Sequence, residues 1–184
     1  LHVINPEFNA LNKTVPNSTE RFELVKNKYE EFKKNKFLFK DEEAQFYIYR
    51  QTTEFGIFQG IIAGASVEDY QSNIIKKHEN TIQNRENVFK KYLDITNFHA
   101  EPVLLAYNPT KLIKQIISQN ILERPEYEFT TTDRKVHELW LVNQPDVISK
   151  IKEEFKLINN IYIADGHHRI ASSSIYQQSK HNHF

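Results

Sequence analysis

Four of five consecutive residues near the end of the chain carry side chains of the kinds that bind anions or transfer protons: Asp165-Gly166-His167-His168-Arg169. They follow the short apolar segment 160–164 and precede a helix predicted over 170–178. Where a strand leads into a helix, the first backbone N–H groups of the helix lack acceptors within it, and the helix dipole favours an anion there. The segment therefore predicts a site for a phosphate or a carboxylate.

Each residue of this segment has a role in such a site. Gly166 lets the backbone approach a ligand closely, and Arg169 offers a bidentate donor to phosphate. The backbone N–H groups of His167, His168 and Arg169 would face the anion, and the imidazoles would donate hydrogen bonds or move protons. Asp165 would orient a histidine, bind a metal ion that accompanies a phosphate, or accept a proton from a substrate hydroxyl. The alternative is a capping turn with these side chains in solvent.

A second block of charged residues precedes another predicted helix: Lys76-Lys77-His78-Glu79-Asn80-Thr81. Residues 76–91 contain five basic and two acidic side chains, an excess of three positive charges in a neutral chain. Arg85 lies on an otherwise apolar helical stripe, where a charge needs a partner or a ligand. Lys77 or Arg85 would neutralise phosphate charge, and His78 and Glu79 offer a base beside a carboxylate. The alternative is a solvated helix start.

Composition excludes several classes of protein. The chain has 184 residues, of which 39% are hydrophobic and 12% aromatic, so it can build a core and is not of the disordered class. Zero net charge argues against a general nucleic-acid binder. The absence of cysteine excludes thiolate nucleophiles and Cys-ligated metal sites. No segment has the length of a membrane span or the order of a signal peptide. We expect a cytoplasmic protein without membrane or nucleic-acid partners, and its oligomeric state stays open.

Apolar periodicity predicts an α+β fold, in which helices pack on a mixed sheet within a single domain over residues 1–184. The pattern predicts that an extended stretch begins at the end of the chain, so His181 and His183 are expected on an unfinished strand, where they have a spacing that could ligate a metal. The expected helices cover residues 19–36, 80–93, 108–117, 147–155 and 170–178, and the expected strands cover 46–49, 57–65, 101–107, 127–131, 136–142 and 160–164.

Several segments together resemble a family called "domain of unknown function 1015". Tyr162-Ile163-Ala164 followed by the Asp165–Arg169 turn is similar to its signature. Lys76–Thr81 matches its Lys-x-His-Glu-x-Thr block, and three further segments fit: Leu1–Glu7, Glu101–Leu104 and His137–Trp140. The likeness covers the whole chain. It implies that the chain is a fragment of a longer family member and lacks that protein's N- and C-terminal parts.

This resemblance implies a phosphate site. The family is related to the ParB/sulfiredoxin superfamily, whose Gly-x-x-Arg turn holds nucleotide phosphates and is similar to Gly166–Arg169. Sulfiredoxin has cysteine at the position of His167, so its chemistry is excluded here. ParB proteins carry a helix-turn-helix region that this chain lacks. Free-serine kinases of the same superfamily have a similar Asp-Gly-His turn.

Three functions are consistent with these residues. The first is a kinase-like phosphotransferase for a small metabolite that uses ATP or ADP, with magnesium as a candidate ion and no metal held by the protein itself. Asp165, His167, His78 and Glu79 would be its catalytic residues, and Gly166, His168, Arg169, Lys77 and Arg85 would bind phosphate or nucleotide. The second is a non-catalytic nucleotide-sensing module. The third is a metal-dependent phosphohydrolase that uses Asp165, His167, His168 and His78.

Overall fold

The computed structural model describes residues 3–11 and 13–181. Within these ranges helices and strands alternate irregularly, which confirms the α+β prediction. No helix in them is long and apolar enough to cross a membrane. The elements are α1 (Thr19–Lys34), β1 (Phe46–Thr53), β2 (Gly56–Ile62), α2 (Val67–Gln71), β3 (Ile75–Lys76), α3 (Gln83–Thr96), β4 (Leu104–Ala106), α4 (Lys111–Asn120), β5 (Tyr127–Thr130), β6 (Val136–Val142), α5 (Pro145–Lys156), β7 (Ile161–Asp165) and α6 (His167–His181).

The chain divides into two compact units, each built from segments that are distant in sequence. The first unit comprises Leu1–Lys40, Ser66–Ala106 and Asn160–Phe184, within the limits of the described residues. The second comprises Asp41–Ala65 and Tyr107–Asn159. Both predicted site segments belong to the first unit.

The second unit is an antiparallel sheet with two amphipathic helices. Its strand order is β2-β1-β6-β5. The expected strands over these residues pair as two hairpins, β1 with β2 and β5 with β6. Ile48 lies opposite Trp140 and both are buried, together with Ile113 of α4 and Ile151 of α5. Each such side chain contributes about 1.5–3 kcal/mol through burial.

The first unit contains a small mixed sheet in the order β3-β7-β4. β3 runs parallel to the central strand β7, and β4 runs antiparallel to it. Ile75 and Ile163 form its core with Tyr70 and Ala171. Ser172 and Ser174 of α6 are also buried. The small side chains of Ala171, Ser172 and Ser174 allow α6 to pack closely against its neighbours.

Three local predictions are wrong. The helix expected from residue 108 begins as α4 at Lys111, with Thr110 as its side-chain cap, so Pro109 precedes the helix. The helix expected from residue 80 begins later, because Ile82 occupies the cap position of α3 and the Thr81 hydroxyl bonds Glu86. His181 ends α6 and does not start a strand. His183 lies outside the described residues.

Candidate functional site

Parallel pairing brings the two predicted site segments to the same edge of the sheet. Ile75 and Lys76 pair with Ile161 and Tyr162, so the chain leaves β3 and β7 in the same direction. The segment 77–82 follows β3, and the turn 165–169 follows β7 at that carboxyl edge. The carboxyl edge of parallel strands is where α/β proteins commonly bind ligands.

The turn after β7 is shaped by a contact between a glycine and an arginine. Gly166 has a φ of +96°, which disfavours other residues. A Cβ atom here would also lie 2.9 Å from Nε and Nη2 of Arg169. Glycine at this position therefore lets the arginine side chain fold back over the turn.

Arg169 pairs with two carboxylates. Its Nη2 lies 2.5 Å from Oδ2 of Asp165, and its Nη1 contacts Glu101. Its Nε is buried without a hydrogen-bond partner. Both carboxylate side chains are more than half exposed, so they can rotate away from Arg169. An incoming anion would compete with them for the guanidinium group. The pairing also means that Asp165 holds the arginine.

Glu101 also belongs to the site, although the sequence did not predict a site role for it. It lies just before β4, where Leu104 pairs with Asp165. Because β4 is antiparallel to β7, the residues before β4 reach the edge at which β7 ends. Nothing in the sequence around Glu101 marks it as a site residue, because its position depends on the pairing of β4 with β7.

His168 connects the two helices of the site. Its Nε2 accepts a hydrogen bond from the backbone N–H of Ile82 at 3.1 Å. Ile82 is the residue that precedes α3 and has no side-chain cap of its own. The lone pair of His168 is thereby engaged, which fixes the proton on Nδ1 and makes this histidine a positioning residue for the start of α3.

His78, Glu79 and His167 meet on the other side of the turn. The rings of His78 and His167 are 4.3 Å apart and nearly perpendicular. Nε2 of His78 lies 3.9 Å from Oε1 of Glu79, and Nδ1 of His167 lies 3.8 Å from Oε2 of the same carboxylate. One candidate donor atom from each residue lies within 4.8 Å of the other two. The histidines and the carboxylate are therefore close enough to share a proton or a ligand.

The two predicted cations of the 77–85 segment have different surroundings. Lys77 Nζ lies 3.9 Å from the centre of the Tyr70 ring, a cation–π contact. Arg85 is exposed on α3, and it pairs with no carboxylate within the part of the chain that the structure describes.

Arg85 and Arg169 line a common open pocket in the first unit. Its volume is about 1090 Å³, and its walls come mainly from α1, α3 and the segments 13–17 and 99–101. Most of the lining is apolar, including Phe22, Val25 and Phe89. Pockets of about 300–1,000 Å³ hold small molecules and cofactors, so the space suffices for a nucleotide.

Some other polar groups of the pocket are already engaged or shielded. Arg21 contacts Glu7 and donates to Asn5 Oδ1 at 2.7 Å. Hydrogen bonds from Thr14 and then Arg21 hold the pKa of Glu7 below its ordinary value. Burial raises the pKa of the Tyr92 phenol. Arg85 is thus a cation of this pocket that no described carboxylate neutralises.

A family model described as a protein of unknown function, DUF1015, matches residues 1–183. The match covers almost the entire chain, so the chain belongs to this family. Comparison with curated proteins and with solved structures gave no match.

Proposed function

We propose that this member of the DUF1015 family binds a nucleotide through its phosphates and transfers a phosphoryl group to a small metabolite. The observation that carries the proposal is the uncompensated cation Arg85, which lines one large, mainly apolar pocket together with Arg169. Apolar walls suit a nucleobase, and arginines suit its phosphates.

The start of α6 supports a phosphate site beside this pocket. The helix begins directly after Gly166, and its first bond runs from the N–H of Ile170 to the carbonyl of Gly166. The N–H groups of His167, His168 and Arg169 therefore have no acceptor within the helix. The resemblance of Gly166–Arg169 to the phosphate turn of ParB/sulfiredoxin-like proteins and free-serine kinases points to the same role.

The transfer itself needs charge neutralisation and a proton acceptor. The bond from the terminal phosphorus of ATP or ADP to its bridging oxygen breaks, and a bond to the substrate hydroxyl oxygen forms. Arg85, Arg169 and Lys77 stabilise the charge on the phosphoryl oxygens, and a magnesium ion bound with the nucleotide would add positive charge there. Asp165 or Glu79 accepts the hydroxyl proton, with His78 and His167 sharing the proton transfer.

Nucleotide titrations of paired variants test the binding site. Calorimetry with ATP and ADP in the presence of Mg²⁺ should show binding to the unmodified chain. Arg85→Ala and Arg169→Ala should each weaken it by at least about tenfold, because a hydrogen bond to a charged group contributes about 1.5–3 kcal/mol. Lys91→Ala, an exposed cation on the same helix, is the matched control and should bind as the unmodified chain does.

A turnover assay separates an enzyme from a sensor. The chain is incubated with ATP or ADP, Mg²⁺ and a pool of amino acids, and phosphorylated product is sought by mass spectrometry. Binding without turnover would favour the nucleotide-sensing module. Unchanged binding in Arg85→Ala and Arg169→Ala, or no binding of either nucleotide, would refute the proposed site.

A further inference from the structure

We propose that His78, Glu79 and His167 bind a divalent transition-metal ion. This cluster lies at the carboxyl edge of β3 and β7, and one donor atom from each residue lies within 4.8 Å of the other two. Sequence spacing conceals the set, because His167 follows the other two residues by almost ninety positions. The prediction that the protein itself holds no metal rested on that spacing.

The distances are close to those of a metal site. Ligand atoms about 2.0–2.1 Å from a tetrahedral zinc ion lie roughly 3.4 Å from one another. The two nitrogen-to-carboxylate distances here are 3.9 and 3.8 Å. His78 and Glu79 have side chains that are 56% and 63% exposed, so small rotations bring the three donors to coordination distance.

The buried histidine gives the second line of argument. The side chain of His167 is only 6% exposed, and within the described chain its Nε2 is buried without a hydrogen-bond partner. Burying an imidazole without partners is costly, because its polar atoms lose their water. A metal ion bound at Nδ1, which lies 3.8 Å from Glu79 Oε2, gives this buried ring one polar partner on the side that faces the other two ligands.

The donor set selects the class of ion. Imidazole ligands suit zinc, copper, iron and nickel, whereas magnesium prefers oxygen ligands. Two histidines with one carboxylate also form catalytic zinc sites, in which a water or substrate oxygen completes the coordination. The exposed sides of His78 and Glu79 leave that remaining position open to solvent.

The metal site does not rest on the proposed nucleotide binding, since its three ligands meet without a phosphate. If both hold, His78, Glu79 and His167 act as ligands, and Asp165 is left to accept the substrate proton. The metal ion then adds positive charge beside the start of α6, where the phosphate is proposed to bind.

Zinc titration of the full chain without nucleotide tests the site. Calorimetry should show one equivalent of Zn²⁺ bound per chain and far weaker binding of Mg²⁺. His78→Ala and Glu79→Gln change exposed residues, so both variants should keep the fold. Each should weaken zinc binding at least about tenfold. Substituting even a residue that only supports a metal ligand commonly lowers metal affinity 10–100-fold.

Two controls make the result specific. Glu42→Gln removes an exposed carboxylate elsewhere, and the double variant His181→Ala/His183→Ala removes the other histidine pair with ligand-like spacing. Both should bind zinc as the unmodified chain does. Absence of zinc binding, equally tight Mg²⁺ binding, or loss confined to the His181/His183 variant would overturn the proposal.

The two proposals can fail separately. A chain that binds ATP with Mg²⁺ but not zinc overturns the metal site alone. A chain that binds zinc but neither ATP nor ADP overturns the nucleotide proposal alone.

Discussion

At the scale of single residues, an ion pair with two hydrogen bonds joins Arg50 and Glu138 across β1 and β6 of the second unit. Nε and Nη2 of the arginine donate to the two carboxylate oxygens, each at 2.6 Å. The guanidinium carbon also lies 4.9 Å from the centre of the Trp140 ring. The side chains are 25% and 11% exposed, so removing one partner leaves the other poorly solvated.

We predict that Glu138→Gln lowers the free energy of unfolding by about 1–3 kcal/mol at neutral pH. Hydrogen bonds from Arg50 hold the pKa of Glu138 below its ordinary value of 4.5. A lowered folded-state pKa gives a stabilisation that is complete above the unfolded value and is lost as pH falls through the folded value. The difference between the two proteins should therefore shrink below about pH 4.5, as urea denaturation across pH would show.

Glu153→Gln is the matched control for this pair. Glu153 contacts Lys156 on α5, and both side chains are about two-thirds exposed. Exposed pairs contribute at most about 1 kcal/mol, so this variant should be nearly neutral. Equal losses in the two variants, or a Glu138→Gln effect that persists at low pH, would contradict the argument.

At the scale of elements, the start of α3 depends on a residue from α6. Because the N–H of Ile82 donates to His168 Nε2, we predict that His168→Ala speeds hydrogen exchange of the Ile82 amide. The expected loss of stability is about 1 kcal/mol, the usual contribution of one such bond. Exchange followed by NMR is the measurement. His168→Gln keeps an acceptor on a similar side chain and should restore part of the protection, whereas unchanged exchange in His168→Ala would exclude the role.

Local patterns predict most elements but not their partners. The apolar stripe of α1, the Asp133-Arg134 turn of the second hairpin and the stripe of α5 are short-range signals, and all three elements form. Helix starts were less predictable, since Thr110 competes with Pro109 as the boundary signal of α4. The division into two sheets depends on pairings between distant segments, and no periodicity encodes them.

The candidate site shows the same limit. The sequence identifies the Asp165–Arg169 turn and the block around His78 as separate charged segments. The two segments meet because β3 pairs with β7, and Glu101 joins them because β4 pairs with β7. The sequence places Arg85 on an apolar helical stripe, and Arg85, Phe89 and Tyr92 line the open pocket instead of a closed core. Such contacts depend on long-range packing.

At the scale of the whole molecule, each unit has its own apolar core, so the two should respond separately to core substitutions. Ile163 in the first unit and Ile151 in the second are both almost completely buried. Ile163→Ala and Ile151→Ala create matched cavities that each cost about 2–5 kcal/mol. If the units open independently, hydrogen exchange by mass spectrometry should speed up in α3 and β4 for the first variant and in β1 and β6 for the second. Faster exchange throughout the chain in both variants would instead show one cooperative domain, as the sequence alone suggested.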